Sequence, residues 1–175
     1  MFFVRTLFRI VIALIIVSAI GIGVLGREEM LEIVFGPVTY TPIEFETLER
    51  HSRPNQYLIC PADLCSAQTD AISPVYDVSR DMFKKVWLAL MAEQPRMIQV
   101  GMSPDANQYD FLQRTEWVRF PDTITVQFIA LPATGQSTLA IYSRSHYGYS
   151  DWDVNRERIE NWLKRLDQQL ANQTG

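Results

Sequence analysis

The chain has 175 residues, of which 47% are hydrophobic and 21% are charged. This composition excludes a disordered or low-complexity protein, and the length fits one domain with room for a short extra segment. The formal net charge is -4, from 16 basic and 20 acidic residues. A mildly acidic chain lacks the basic surface that nucleic-acid binding requires, so we expect no nucleic-acid partner.

Residues 10–26 contain no charged side chain and predict a membrane anchor. The apolar run extends back to Leu7 past Arg9, whose side chain can reach the lipid headgroups, so about 20 residues (7–26) are available to cross the bilayer. A cleaved signal peptide is one alternative, but the run is longer than a usual signal region and lacks an A-x-A-like site. A buried core helix is another, but the run has no polar face.

The basic residues near this span predict its orientation. Arg5 and Arg9 precede it, whereas only Arg27 follows closely, and basic residues tend to stay on the cytoplasmic side. We predict a single-pass protein of the bacterial inner membrane, with its N-terminus inside and its C-terminal domain in the periplasm.

The stretch from residue 27 to residue 78 is interrupted by five prolines. We predict that residues 1–26 form the anchor and residues 27–53 a stalk or extended segment, in which 31–35 and 38–45 are extended or edge strands. Cys60 and Cys65 follow, and an oxidising compartment favours a disulfide between them. The alternative is two free thiols that pack as small apolar side chains.

From residue 79 onward the periodicities predict regular elements. Ser79 is a candidate N-cap and Pro95 ends the helix that follows. Strands are predicted at 96–100, 108–120, 123–131 and 137–145, and their short connections indicate an antiparallel meander. A final helix is predicted at 152–171. The fold class is therefore α+β, with an N-terminal transmembrane helix, then a helix, a four-stranded antiparallel meander and a long C-terminal helix, over an α+β domain at 54–175.

Alternation along the predicted sheet assigns its faces. Tyr109, Phe111 and Trp117 fall on one face of the strand at 108–120. Both helices of the domain are expected on one face of the sheet, so the other face is left to residues 31–78, to solvent or to a ligand. In shape, an aromatic sheet beneath a long helix resembles the helix-grip folds that enclose a cavity.

The densest polar stretch is YSRSHYGYSDWDVNRERI, residues 142–159. It carries the pattern Ser143-Arg144-Ser145, Gly148, Ser150-Asp151, Asn155-Arg156 and Arg158-Ile159. With the weaker upstream segment Cys65-Ser66-Ala67-Gln68, it resembles the domain of unknown function 1499 family of bacteria and plastids, over roughly residues 54–170. His146 stands where that family often has Arg, and Trp152-Asp153 also departs from the family pattern. The resemblance implies a membrane-associated or exported single domain and no particular activity or catalytic residue.

Six side chains of this stretch are candidates for binding an anion or another ligand: Arg144, His146, Asp151, Asn155, Arg156 and Arg158. One interpretation is an internal ion-pair network, with Arg144 or Arg156 held by Asp151, Asp153 or Asp110. The other is an anion site, where arginines and helix N-terminal amides converge on a carboxylate or phosphate. The interleaved acids favour the first interpretation.

Catalytic signatures are scarce in the sequence. Glycine-rich phosphate loops and the common hydrolase and zinc motifs are absent, and we expect neither a metal nor a cofactor. His146 near Asp151 resembles a base or metal pair, although a lone loop histidine is most often solvated. We predict a domain that binds a membrane-protein partner or an amphipathic ligand. The alternative is a hydrolase or other enzyme that uses Arg144, His146, Asp151 and Arg156.

Overall fold

The computed structural model describes residues 2–174, and side chains from residue 3 to residue 172. Met1 and Gly175, which the predicted anchor and domain include, lie outside the described residues. The elements in chain order are α1 (Phe2–Leu25), α2 (Arg27–Phe35), β1 (Gln56–Cys60), β2 (Ala71–Ile72), α3 (Arg80–Ala92), β3 (Met97–Met102), β4 (Gln108–Arg114), β5 (Pro121–Leu131), β6 (Gln136–Ser145) and α4 (Val154–Thr174).

Helix α1 is long and apolar enough to cross a membrane, judged by its length and composition. Its candidate span, Phe3–Leu25, has 23 residues and a mean hydropathy of 2.6, and no part of it is buried in the folded domain. Gly26 ends the helix with a positive φ of 93°, a conformation that glycine adopts without strain. Helix α2 then turns back, so that a Cβ on Gly21 would lie 2.7 Å from the sulfur of Met30.

Helix α2 corrects the extended structure predicted for residues 31–35. The strand-like composition of LEIVF is outweighed by Glu28 and Glu29, which favour the first turn of a helix. Contacts with the sheet add to this, because Glu28 forms ion pairs with Arg114 at 3.0 Å and with Arg119 at 2.6 Å. Residues 38–44 form no regular element, and Phe45–Thr47 make a short 3-10 turn.

The sheet has six strands, not four, in the order β2-β1-β6-β5-β4-β3. Strands β3 to β6 pair antiparallel with their neighbours in the chain. Strand β1 pairs antiparallel with β6, so that Leu58 lies opposite Tyr142, and the short β2 pairs parallel with β1. The sequence between Pro54 and Pro61 shows no clear alternation, and β1 is held by a partner distant in the chain, which explains why these two strands were not predicted.

Helices α3 and α4 cover one face of the sheet, which we call the helix face. Trp87 lies at the centre of the core, with edge contacts to Phe128 of β5 and Trp162 of α4 at centroid distances of 6.3 and 6.1 Å. The large side chains buried around it include Phe83, Leu90, Ile124, Val126, Leu139, Ile141, Ile159 and Leu166. Each contributes about 1.5–3 kcal/mol through burial, so this face supplies most of the apolar stabilisation of the domain.

The opposite face, which we call the covered face, lies partly under residues 43–48 and 64–67. A smaller cluster packs there on β1 and β6, with Phe45, Leu48 and Leu58 among its buried members. Cys60 and Cys65 belong to it and form a disulfide with a Cα–Cα distance of 6.3 Å, inside the usual 4.4–6.8 Å range. Towards β4 and β5 this face becomes polar, and the candidate site lies at that boundary.

Candidate anion-binding site

A pocket of about 320 Å³ lies where β6 ends and β1 begins, on the covered face. Its lining residues are His51, Arg53, Arg144, Ser145 and His146. Two of these are arginines and two are the only histidines of the chain. No carboxylate is found among these lining residues in the described structure, so the lining itself carries a net positive charge from its two arginines.

Arg144 is the central side chain of this pocket. Alternation along β6 points it away from the helices, and its guanidinium lies 4.9 Å from the centre of the Tyr142 ring and 3.4 Å from the Thr125 hydroxyl oxygen. Within residues 2–174, no carboxylate oxygen approaches its guanidinium to 4.0 Å or less. Burial lowers the pKa of Arg144, but a guanidinium keeps its charge inside proteins. A largely buried cation thus lacks a direct counter-ion.

Asp110 opposes the lowering of the Arg144 pKa through its charge, but it forms no direct ion pair with the guanidinium. One of its carboxylate oxygens accepts a hydrogen bond from the Tyr40 hydroxyl at 2.5 Å, and the other accepts one from the Thr125 hydroxyl at 2.6 Å. The acid is therefore satisfied by two hydroxyl donors. The pKa of Tyr40 is raised mainly by burial and secondly by the hydrogen bond to Asp110. The phenol therefore keeps its proton and remains a donor.

The two histidines of the pocket are held in their neutral forms. Burial and then the Arg144 charge keep the pKa of His146 below its usual value of 6.5. Burial and then Arg53 and Arg50 lower the pKa of His51. The Nδ1 of His51 accepts from the backbone N–H of Arg53 at 3.2 Å, which leaves its Nε2–H as the donor of the neutral ring. A bound anion would reverse these shifts, because it favours the protonated imidazoles.

His146 is also a correction to the solvated loop histidine expected from the sequence. Its Nε2 lies 2.6 Å from the Thr123 hydroxyl, and the ring is partly buried against β5. The pair resembles a nucleophile and its base, but Thr123 is only 2% exposed. A substrate cannot reach that hydroxyl, so the arrangement fixes the imidazole rather than activating a nucleophile.

Arg50 lines a larger cleft of about 890 Å³, which shares His51 and Arg53 with this pocket. It donates to the Gln68 carbonyl at 2.6 Å and pairs with Asp70 at 2.9 Å. It also donates to Gln56, whose side-chain oxygen accepts in addition from the Tyr142 hydroxyl. Arg50 is therefore fully paired, and it joins the segment after the disulfide to the strand that carries Arg144.

The structure divides the six sequence candidates into separate groups. Only Arg144 and His146 line the pocket. Asn155 and Arg158 lie on the helix face, where Arg158 forms a buried ion pair with Asp122 and donates to the Asn155 side-chain oxygen at 2.7 Å. The ion pairs expected from Arg144 or Arg156 to Asp151, Asp153 or Asp110 are not formed within residues 2–174. The pairs found in this stretch are Arg156 with Glu160 and Arg158 with Asp122.

Asp151 and Arg156 have local roles near the start of α4. The Asp151 carboxylate accepts from the backbone N–H of Asn155 at 2.8 Å and from its side-chain amide at 2.6 Å. This caps the helix N-terminus, as anionic side chains do there. Arg156 pairs with Glu160 at 3.0 Å on the exposed side of α4. Gly148, with φ of 85°, makes the turn between β6 and α4, and its carbonyl accepts from Asn55 at 3.0 Å.

Sequence reasoning missed His51 and Arg53. The signal was present, because residues 50–53 read Arg-His-Ser-Arg and hold one of the two histidines of the chain between arginines. It went unrecognised because these residues precede a strand that was not predicted. For metals, no group of three or more His, Cys, Asp or Glu side chains that could hold an ion occurs in the described part of the chain.

These observations define a small α+β domain with an N-terminal apolar helix and a positively charged pocket on its sheet. The model of one family, described as protein of unknown function (DUF1499), matches residues 37–166, and the chain belongs to that family. The match begins after α2 and includes both segments that line the pocket. No curated protein and no solved structure matches the chain.

Proposed function

We propose that this protein is a single-pass membrane protein whose extracytoplasmic domain binds the phosphate or carboxylate group of an amphipathic ligand. The observation that carries the proposal is Arg144, a largely buried guanidinium with no carboxylate partner in residues 2–174, in a pocket shared with Arg53 and two neutral histidines. An anion would supply a counter-charge in direct contact with Arg144 and would accept hydrogen bonds from several of these donors at once.

The location of the pocket supports an amphipathic ligand. His146 and His51 lie in the segments that enter and leave the sheet at the end where β6 finishes and β1 starts. Tyr147, next to His146, donates to the backbone carbonyl of Gly36 at 2.7 Å, so this end of the sheet adjoins the end of α2, the helix that follows α1. A molecule anchored in the bilayer by an apolar chain could therefore present its charged group to Arg144.

Two features support the extracytoplasmic side. Arg5 and Arg9 precede the apolar span and Arg27 alone follows it closely, which favours a cytoplasmic N-terminus. The Cys60–Cys65 disulfide is a bond that oxidising compartments maintain and the cytosol does not. A protease added outside intact spheroplasts should therefore digest the domain and leave α1 protected. A domain that survives external protease until the membrane is lysed would contradict this orientation.

The binding test uses the full-length protein in micelles of a neutral detergent. Alkyl phosphate should bind the wild type, and Arg144→Gln should weaken binding at least about tenfold, because a charge-assisted hydrogen-bonding partner is lost. Arg156→Gln is the matched control, since Arg156 lies on the exposed side of α4 and pairs with Glu160. Titration calorimetry measures both.

The choice of probes separates the possible ligands. Inorganic phosphate tests the charged group alone, and a neutral alkyl glycoside tests the apolar chain alone. Alkyl phosphate that binds more tightly than either identifies an amphipathic anion, whereas equal binding of phosphate and alkyl phosphate identifies a site for small anions. Equal affinity of wild type and Arg144→Gln for every anion would reject the pocket as the site.

A further inference from the structure

Two loops at one end of the sheet expose large aromatic side chains to solvent. Trp117 in the β4–β5 loop is 78% exposed, and Trp152 in the β6–α4 loop is 88% exposed. Val118 and Tyr149 beside them are also exposed. The loops are neighbours, because Asp122 near the start of β5 lies opposite Ser145 at the end of β6. They form one surface, which we call the aromatic edge: Trp117, Val118, Tyr149 and Trp152.

The aromatic edge adjoins the point where α1 ends. Arg27, the second residue after α1, donates to the backbone carbonyl of Trp117 at 2.8 Å. Glu28 pairs with Arg119 at 2.6 Å in the same loop. When α1 spans the bilayer up to Leu25, Arg27 lies at the membrane surface. The distance from that surface to Trp117 is then no more than the length of the Arg27 side chain.

Helix α2 fixes this geometry and extends the apolar surface. Phe35 at its end stacks on Tyr147 with a centroid distance of 5.0 Å and contacts the edge of Phe120 at 6.1 Å. The domain is thus joined to α1 through packed aromatic rings and ion pairs rather than through a free linker. On its other side, α2 exposes Ile33 and Val34.

Trp152 carries a second sign of an external role. Its φ is 57°, and Asp153 after it has φ of 64°, so two consecutive non-glycine residues adopt the left-handed conformation. This conformation is unfavourable for bulky L-residues, and strain of this kind is usually retained for function. A side chain that is 88% exposed recovers little of that cost through burial in its own domain.

We propose that the aromatic edge inserts into the interfacial layer of the same bilayer that holds α1. Trp and Tyr favour this layer, where the ring contacts acyl chains and its polar atom stays hydrated. The domain then lies against the membrane surface, held by α1 at one point and by Trp117 and Trp152 at others. The inference rests on the membrane anchor of the proposed function and is independent of the anion pocket.

The four tryptophans make a direct test possible. Trp87 and Trp162 are buried in the core, whereas Trp117 and Trp152 are exposed, and α1 contains none. The full-length protein is reconstituted into phosphatidylcholine vesicles whose lipids carry bromine near the headgroup end of the acyl chain. Emission of the wild type should fall by roughly one half relative to unbrominated vesicles, because two of its four tryptophans contact lipid. Trp117→Phe with Trp152→Phe should lose this quenching.

Flotation of the vesicles separates the two possible failures. A protein that does not float with the vesicles lacks the anchor, and both the anchor and the aromatic edge proposals then fail. A protein that floats, but whose bromine quenching is the same in wild type and in the double variant, keeps the anchor and overturns the aromatic edge. Iodide quenching of Trp117 and Trp152 in vesicles that is as strong as that of free tryptophan in water would overturn it as well, and would assign the surface to water.

Discussion

Two arginines of one short stretch, Arg158 and Arg144, lie on opposite faces of the sheet and differ in whether a carboxylate pairs with them. On the helix face, Arg158 pairs with the buried carboxylate of Asp122 and donates to Ser143 at 2.9 Å and to Asn155. On the covered face, Arg144 has the Tyr142 ring and one long bond to Thr125. The first cluster satisfies itself and stabilises the fold, whereas the second holds a guanidinium that has no direct carboxylate partner among the described residues.

The difference originates in strand alternation. Ser143 and Arg144 are adjacent in β6, so their side chains point to opposite faces. Ser143 therefore joins the hydrogen bonds of α4, while Arg144 faces the segment before β1. A polar motif that looks continuous in sequence thus places Arg144 and His146 in a pocket and its other candidate residues in structural contacts, and variants on the two faces should behave differently.

The largest effect is expected on the helix face. Arg158→Met should lower the free energy of unfolding by about 3–5 kcal/mol, because it leaves the Asp122 carboxylate buried without its partner. Urea denaturation of the full-length protein in micelles, followed by circular dichroism, measures the change. Arg156→Met is the matched control and should leave the urea midpoint nearly unchanged, since its pair with Glu160 is exposed. A small loss for Arg158→Met would remove the distinction between the faces.

The disulfide is expected to give the second-largest effect. It joins Cys60 at the end of β1 to Cys65, which packs in the small cluster of the covered face. Cys60→Ala with Cys65→Ala should cost about 2 kcal/mol, because the unfolded chain regains the freedom of this short loop. Urea denaturation of oxidised wild type, reduced wild type and the double variant measures it. If all three unfold at the same urea concentration, the covered face does not depend on this bond.

The sequence predicted the elements whose periodicity is local. Helices α3 and α4 and strands β3 to β6 were located because apolar residues recur at helical or alternating positions, as with Ile124, Val126 and Phe128. Strands β1 and β2 were missed because they are short, lie among prolines and are held by non-local pairing to β6. Trp117 was placed on a strand, but β4 ends at Arg114, so the ring lies on a loop and is exposed.

The site could be predicted only in part for the same reason. Arg144 and His146 are predicted because polar residues are concentrated around them, and alternation along β6 separates Arg144 from Ser143, which bonds to Asn155 and Arg158. His51 and Arg53 reach the pocket through the pairing of β1 with β6, where Gln56 lies opposite Arg144. Such a contact between distant parts of the chain has no local signal in a single sequence.

Replacement of Arg144 tests the opposite behaviour on the covered face. Arg144→Met should leave the free energy of unfolding unchanged or raise it by up to about 1 kcal/mol in anion-free buffer, because it removes a buried cation that has no carboxylate partner. The same variant should lose the extra stability that alkyl phosphate gives the wild type. Thermal unfolding in micelles, with and without the alkyl phosphate, measures both. A loss of more than about 2 kcal/mol without ligand would mean that Arg144 is a structural residue like Arg158.

The smallest effect is a pH dependence that comes from His146. Its pKa is lowered in the folded protein by burial and by Arg144, so below about pH 6.5 the unfolded chain binds more protons than the folded one. Its contribution to stability is therefore present above pH 6.5 and is lost as the pH falls through that value towards the folded pKa, with a slope of at most about 1.4 kcal/mol per pH unit. Carboxylates of the protein also take up protons as the pH falls, so the quantity measured is the difference in urea stability between wild type and His146→Gln.

That difference should depend on pH below 6.5 and should be constant above it. Alkyl phosphate should reduce the dependence, because an anion in the pocket raises the pKa of His146 towards or above its unfolded value. A difference that is constant with pH, or one that alkyl phosphate does not alter, would place His146 outside the influence of the Arg144 pocket.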